Sequence, residues 1–320
     1  MTDAMSISMS TKVVPAPAVR PRWAALPAPV LARVESHLGK RMEHAADQTG
    51  GFTHGVAARL VLADSSQVFA KAIPSDDELA GAYRAEAWCA SRLPAAVPAS
   101  RLRFHLEDDG WVVLVFDNVV GRNPDISDPG ELAAVLRMID RLASVLTPSP
   151  LPDAPSSESE LAPLMDVWSR YTVEGPPADL DAWSLRHLTR LADLESQWRV
   201  ATVGDTLLHL DLRPDNMLLT LSGEVLAVDW ACACIGASWA DLMVLLGSVE
   251  GLDGEHIVRT HPVIRDVPAA AIDAFLCALT GLWVRESRKP ELPKSPYLRR
   301  FQARNAELTQ AWLAQRTGWQ

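Results

Sequence analysis

The chain has 320 residues, enough for two cores rather than one small one. Apolar residues make up 48% and charged residues 22%, the balance of a folded globular protein; the net charge of −10 speaks against a nucleic-acid binder, which needs a basic face for phosphates. No apolar run is long enough to span a membrane, and four scattered cysteines (Cys89, Cys232, Cys234, Cys277) are too few for a disulfide framework, which points to a reducing cytoplasm.

Met1 to Arg22 carries Ser, Pro and Ala without a continuous apolar stretch, so it reads as a disordered tail rather than a signal peptide. Pro29 to Gly39 has Val30, Leu31, Val34 and Leu38 on one helical face. Thr49-Gly50-Gly51-Phe52-Thr53-His54-Gly55 is a glycine-rich turn beside strand-like runs. The later of these is Val68 to Ile73, preceded by hairpin chemistry at Ala63 to Ser66. Period-two alternation in that strand puts Phe69, Lys71 and Ile73 on one face, an apolar wall interrupted by one charge. Asp76 to Leu93 reads as a helix stopped by Pro94, on which Glu86 shares a face with Tyr83 and Ala90. A buried Lys71 needs a partner, and Glu86 is placed to be one. A further strand pair frames the turn Glu107 to Gly110 and ends in Trp111 to Phe116.

The remainder is mainly helical. Helices are expected over Glu131 to Leu146, from an N-cap at Ser184 to about Val200, and over Trp239 to Val249, Pro268 to Glu286 and Tyr297 to Gln315. The Pro/Ser/acidic stretch from Thr147 to Glu160 reads as a mobile surface loop. Two short strands, Met217 to Thr220 and Val225 to Trp230, are joined by Ser222-Gly223. The result is an α+β chain of two unlike lobes with a cleft between them: residues 1–22 a tail, 23–116 a sheet-rich lobe, 117–320 a helical lobe.

The strongest chemical signal is His209-Leu210-Asp211-Leu212-Arg213-Pro214-Asp215-Asn216, followed by a strand, a tight turn, a second strand and Asp229-Trp230. Singly, Asp211 is a turn residue, Asn216 a cap and Asp229 a strand-end charge. Together, in this order and spacing, they resemble the H-R-D-x-x-x-x-N and D-F-G pair of kinases. Phosphoryl transfer asks the protein for metal ligands and for a group that orients or deprotonates the attacking hydroxyl. A tight hairpin can present Asn216 and Asp229 as oxygen ligands to Mg²⁺, with Asp211 just upstream.

On those residues the segment from His209 to Leu246 resembles the aminoglycoside phosphotransferases and their choline and fructosamine kinase relatives. The resemblance implies a bilobal protein-kinase-like fold using ATP and Mg²⁺. It implies Asp211 as catalytic base, Asn216 and Asp229 as metal ligands, His209 as structural, and Asp241 as a brace for the catalytic loop through backbone amides. In the front lobe it implies that Gly50, Gly51 and Thr53 cover the nucleotide and that Lys71, held by Glu86, meets the α- and β-phosphates. Phe116 and Asn118 would belong to the hinge at the adenine edge. Arg213 either assists the γ-phosphate or forms a buried salt bridge with Asp215 or Asp241. The chain departs from the family in Leu210, where the small-molecule kinases usually have Gly, and in Trp230-Ala231 after the metal aspartate.

Eleven residues lie between Asp229 and Asp241, too few for the activation loop of a protein kinase, so the expected acceptor is a small-molecule hydroxyl. An amino sugar, an aminoglycoside-like antibiotic or another hydroxylated metabolite would fit; a catalytically idle nucleotide-binding protein on the same fold is the alternative. The acidic residues Asp153, Glu158, Glu160, Asp166, Glu174, Asp179 and Asp181 would either draw in a cationic acceptor or form a solvated surface. Of Trp168, Trp183, Trp198, Trp283 and Trp312, most are expected to pack, with one or two available to stack on a ligand.

Overall fold

The computed structural model describes residues 18–320. The first seventeen residues of the expected tail lie outside them. Residues 18–22 are not a loose tail: Ala18 is buried, and Val19 N–H donates to the Lys294 carbonyl at 2.9 Å.

The front lobe opens with α1 (Ala28–Leu38), followed by β1 (Met42–Asp47), β2 (Val56–Leu62), β3 (Gln67–Pro74), α2 (Ala80–Ala90), β4 (Leu102–Asp108) and β5 (Trp111–Asp117). The five strands form one antiparallel sheet in the order β1-β2-β3-β5-β4. Alternation along β3 divides its side chains between two cores. Val68, Ala70 and Ala72 pack with Val30 and Val34 of α1, whereas Ile73 and Phe69 pack with Tyr83, Ala87 and Ala90 of α2. Lys71 lies on the second face, so the pleat aims it at α2. β1, the sequence MEHAAD, shows no apolar alternation and forms the polar edge of the sheet.

The chain leaves β5 at Asp117 and by β6 (Gly121–Arg122) is already paired with a rear-lobe strand. The rear lobe continues with α3 (Pro129–Val145), α4 (Ser157–Leu161), α5 (Val167–Glu174), α6 (Ala182–Glu195), α7 (Trp198–Ala201), β7 (Thr206–Leu208), β8 (Met217–Thr220), β9 (Val225–Ala227), β10 (Cys234–Gly236), α8 (Ala240–Leu246), α9 (Gly254–Thr260), α10 (Ala269–Ser287) and α11 (Leu298–Thr317). β6, β8 and β9 form one small sheet, β7 and β10 another, and the helices close over both around a single core.

Three expectations need correction. The stretch from Thr147 to Glu160 is a fixed strap rather than a mobile loop. Ser149 N–H donates to the Asp205 carbonyl at 2.6 Å and Ile235 N–H to the Pro155 carbonyl at 2.7 Å, while Leu151 and Ala154 are buried and Ser156 caps α4. Its serines and prolines serve as caps and edge partners of β7 and β10, so polar composition there does not mean mobility. The helix expected to be capped at Ser184 begins three residues earlier. Its cap is Asp181, which accepts from Ser184 N–H at 2.9 Å, and the pattern breaks at Ser196 and Gln197 into α6 and α7. Of the acidic residues of this region, Asp166 is paired with Arg199, Asp179 with Arg288, and Asp181 is committed to its cap, while Asp153 and Glu174 are exposed. Trp168 and Trp198 are fully buried, and Trp312 donates to Glu255 at 2.6 Å.

The helix α5 has an unusual start. Asp166, its N-cap by position, has φ +61° and makes no capping bond. The buried Glu195 at the end of α6 does that work, accepting from Val167 N–H at 2.8 Å and from Ser169 N–H at 3.0 Å. Glu195→Ala should therefore destabilise the fold by about 2–3 kcal/mol, since two buried donors lose a carboxylate acceptor. Glu195→Gln, which keeps one amide oxygen, should lose less. Equal urea midpoints for wild type and the Ala variant would show that α5 is held by packing alone.

Candidate active site

The loop from His209 to Asn216 hangs from Asp241. Standing in the first turn of α8, Asp241 is buried and accepts His209 N–H at 3.0 Å and Leu210 N–H at 2.7 Å. Those two bonds fix the entry to the loop while Leu210 takes φ +59°, a region that costs a non-glycine residue energy. His209 is buried beneath: its Nε2 bonds the Val228 carbonyl at 2.9 Å, and Nδ1 takes the Asp211 N–H at 3.3 Å, a pairing that assigns the Nε2–H tautomer. Trp230 is buried edge-on to His209 with centroids 4.8 Å apart. The bulky residue after Asp229 is thus core packing.

Asp211 sits at the head of the loop with 31% of its side chain exposed. Arg213 Nη1 donates to its Oδ1 at 2.6 Å and Asn216 Nδ2 to its Oδ2 at 2.8 Å. Burial in the cleft pushes its pKa up to about 6, against the pull of Arg213. Arg213 also reaches Asp215, through Nε and Nη2 at 3.1 Å each, and makes no bond to Asp241. Its guanidinium lies beside a pair of rings, 5.7 Å from the centroid of Phe52 and 5.2 Å from that of Phe301. Of the two salt bridges open for Arg213, the one to Asp215 is formed and the one to Asp241 is not.

Asn216 and Asp229 flank the β8–β9 hairpin, and Val228 N–H donates to the Asn216 carbonyl at 2.9 Å, which holds the two ends together. Asp229 has φ +69°. Asn216 spends its amide nitrogen on Asp211, which turns that group's only acceptor, the amide oxygen, to other use. From the front lobe Lys71 enters with only 8% exposure, donating to Glu86 Oε2 at 2.6 Å and to Asp229 Oδ1 at 3.0 Å. Burial alone would lower the Lys71 pKa; the carboxylates of Asp229 and Glu86 outweigh it and hold the ammonium charged. Asp229 is held below the ordinary carboxylate range because Lys71 outweighs its burial.

The glycine turn spans β1 and β2. Gly50 and Thr53 accept from Arg20, at 2.6 and 3.3 Å, and Gly51 adopts φ +81°. Phe116 is buried between Phe69 and Leu102 on its neighbouring strands, and Asn118 donates to Gln67 at 3.2 Å. Both stand where the chain passes between lobes. Arg20, Ser295 and Phe301 also meet at this site and were not expected there. Nothing in a Pro/Ala-rich terminus or in the pattern of a late helix marks such residues, because their partners are distant in sequence.

Among the described residues no three His, Cys, Asp or Glu side chains form a closed metal cage, and no helix is long and apolar enough to cross a membrane. All four cysteines are free, Cys232 partly exposed and the others buried.

Known structures share this architecture. A thermostable mutant of the aminoglycoside phosphotransferase APH(4)-Ia, solved as a ternary complex with ADP and hygromycin B, superposes with a TM-score of 0.58 over 90% of this chain and 97% of that one, at 14% identity. The choline kinase LicA from Streptococcus pneumoniae gives 0.61 over 88% and 98%, at 13% identity. An aminoglycoside phosphotransferase from Alicyclobacillus acidocaldarius gives 0.56 over 92% and 96%, at 15%. No curated protein matches the chain in sequence. The model of the phosphotransferase enzyme family matches residues 51–261, from the glycine turn through the His209–Asn216 loop to the helices that follow it, and the chain belongs to that family.

Proposed function

We propose that the chain is an ATP-dependent phosphotransferase that moves the γ-phosphoryl group to a hydroxyl of a small molecule. The observation that carries this reading is the meeting of Lys71, Asp229, Asn216 and Asp211 at one cleft, from two lobes and distant parts of the sequence. Asp211 takes the proton of the acceptor hydroxyl as its oxygen bonds to the γ-phosphorus, and the bond to the β-phosphate oxygen breaks to release ADP. Arg213 and Asn216 keep the carboxylate oriented by one bond to each oxygen. Lys71 would meet the α- and β-phosphates, with Glu86 fixing its place and Gly50, Gly51 and Thr53 covering them. The backbone between Phe116 and Asn118 would border the adenine.

Charge supports a metal. Lys71 is paired with Glu86 and Asp229, and Arg213 with Asp211 and Asp215, so both cations are already committed within the protein and a polyphosphate is better met with a cation of its own. Asn216 and Asp229 fit Mg²⁺, which is commonly held by one or two protein oxygens together with phosphates and water. When bound, the ion would offset charge on the phosphates.

The small-molecule acceptor is an amino sugar, an aminoglycoside-like antibiotic or another hydroxylated metabolite. Hygromycin B and choline, named with relatives of the same fold, bracket that range. Four free cysteines and the absence of a spanning helix among the described residues support a cytoplasmic site of action. ADP release measured across amino sugars, aminoglycosides, macrolides and choline-like alcohols tests the reading. Tight MgATP binding with turnover on none of them would return the chain to a nucleotide-binding role.

With an acceptor in hand, Asp211→Asn should lower turnover by about 10²–10⁴-fold while leaving MgATP affinity within a few-fold. Because only the ionised carboxylate accepts a proton, kcat/KM should rise with pH through about 6 and level off above it. A flat profile between pH 5 and 8, or an Asn variant near wild type, would remove Asp211 from the reaction.

Calorimetry separates the metal ligands. Asp229→Ala should weaken MgATP binding more than Asn216→Ala, because a carboxylate brings charge to the ion and an amide only a dipole. Affinity that is the same in both variants and unchanged by EDTA would mean neither holds a metal.

A further inference from the structure

The glycine turn is gripped from two directions. On the rear-lobe side, Ser295 Oγ donates to the Phe52 carbonyl and the Phe52 and Phe301 rings lie 4.8 Å apart. On the other, the arm formed by residues 18–22 runs beside the turn. Arg20 Nη2 donates to the Gly50 carbonyl at 2.6 Å, and Nη1 donates to the Gly55 carbonyl at 2.8 Å. Ala18 N–H adds a long bond of 3.4 Å to the Gly51 carbonyl. One planar guanidinium therefore clamps both ends of the turn.

That clamp is built to fine tolerance. A Cβ at Gly51 would stand 3.1 Å from Arg20 Nη2, and one at Gly55 only 2.1 Å from the Tyr83 hydroxyl. A peptide carbonyl bound to Arg20 is not free to turn toward the cleft, where its oxygen would repel a phosphate. Arg20 bonds the Gly55 carbonyl, Gly55 packs against the Tyr83 hydroxyl, and the Lys71 ammonium lies 5.3 Å from the centroid of the Tyr83 ring, so the guanidinium stands near the Lys71 side of the cleft. The arm is in turn tied to the rear lobe by the bond from Val19 to the Lys294 carbonyl.

We propose that Arg20 is a positioning residue for the nucleotide: by binding the Gly50 and Gly55 carbonyls together it holds the glycine turn over the triphosphate. Residues ahead of the region that matches the family would then be part of the binding site. The inference rests on the nucleotide reading above, and its effect must fall on the phosphates rather than on adenosine.

The test is calorimetry of MgATP and of adenosine against wild type, Arg20→Ala and Arg20→Lys, with melting curves for each. Losing two charge-assisted bonds should weaken MgATP by about 10- to 100-fold. Adenosine affinity should stay within two- to three-fold. Arg20→Lys should fall between wild type and Ala, because a lysine is a point charge without the fork that spans two carbonyls. That milder variant also serves if Arg20→Ala does not fold. Unchanged MgATP affinity in both variants, or an equal loss for MgATP and adenosine, would overturn the inference and leave the nucleotide reading standing. Failure of the wild-type chain to bind MgATP would overturn both.

Discussion

The ammonium of Lys71 is the contact on which the rest of the molecule's arrangement turns. It belongs to the front sheet, yet it bonds Asp229 of the rear lobe at 3.0 Å as well as Glu86 of its own lobe at 2.6 Å. A buried ammonium without partners is costly, so the charge is tolerable only where both carboxylates come to it. That requirement fixes the distance between β3 and α2, and it joins the hairpin that carries Asp229 to the front lobe. It works beside other ties between the lobes, among them the bond from Ser295 to the Phe52 carbonyl and that from Ala227 N–H to the Pro98 carbonyl at 2.8 Å.

The rear lobe solves a related problem with backbone amides. Asp241 accepts two consecutive N–H groups ahead of Asp211, and His209 bridges the loop to Val228 beneath it. Because these partners are buried and directional, the position of Asp211 follows from the core of the lobe and not from the loop's own preferences. Arg213 then links the loop to the glycine turn through the ring of Phe52. The same guanidinium steadies Asp211 and bears on the cover of the cleft, so the two halves of the site are mechanically joined.

Much of this was legible in the sequence where the information is local. The loop and hairpin from His209 to Asp229 keep their chemistry in about twenty contiguous residues, so order and spacing speak for them. The Lys71–Glu86 contact followed from two periodicities, of the strand and of the helix. What could not be read is what the fold brings from afar. Glu195 caps a helix 28 residues upstream of it, and Arg20 clamps a turn 30 residues downstream. Composition misled in the strap after Thr147, because serine and proline mark caps and sheet edges as readily as free loops. It misled again at residues 18–22, where one arginine outweighs a bland neighbourhood.

Leu210 shows how such a site limits its own drift. Its backbone takes φ +59°, a region that favours glycine, while its side chain is buried in the core. A leucine in that conformation bears roughly 1–2 kcal/mol of strain. Giving the side chain up would cost about 2–5 kcal/mol in lost packing. With the core closed around the isobutyl group, a glycine there would relax the backbone but open a void of greater cost. The two costs oppose each other: glycine is the better residue for the loop alone and the worse one for the molecule, so the strain at this position is held in place by the core it helps to fill.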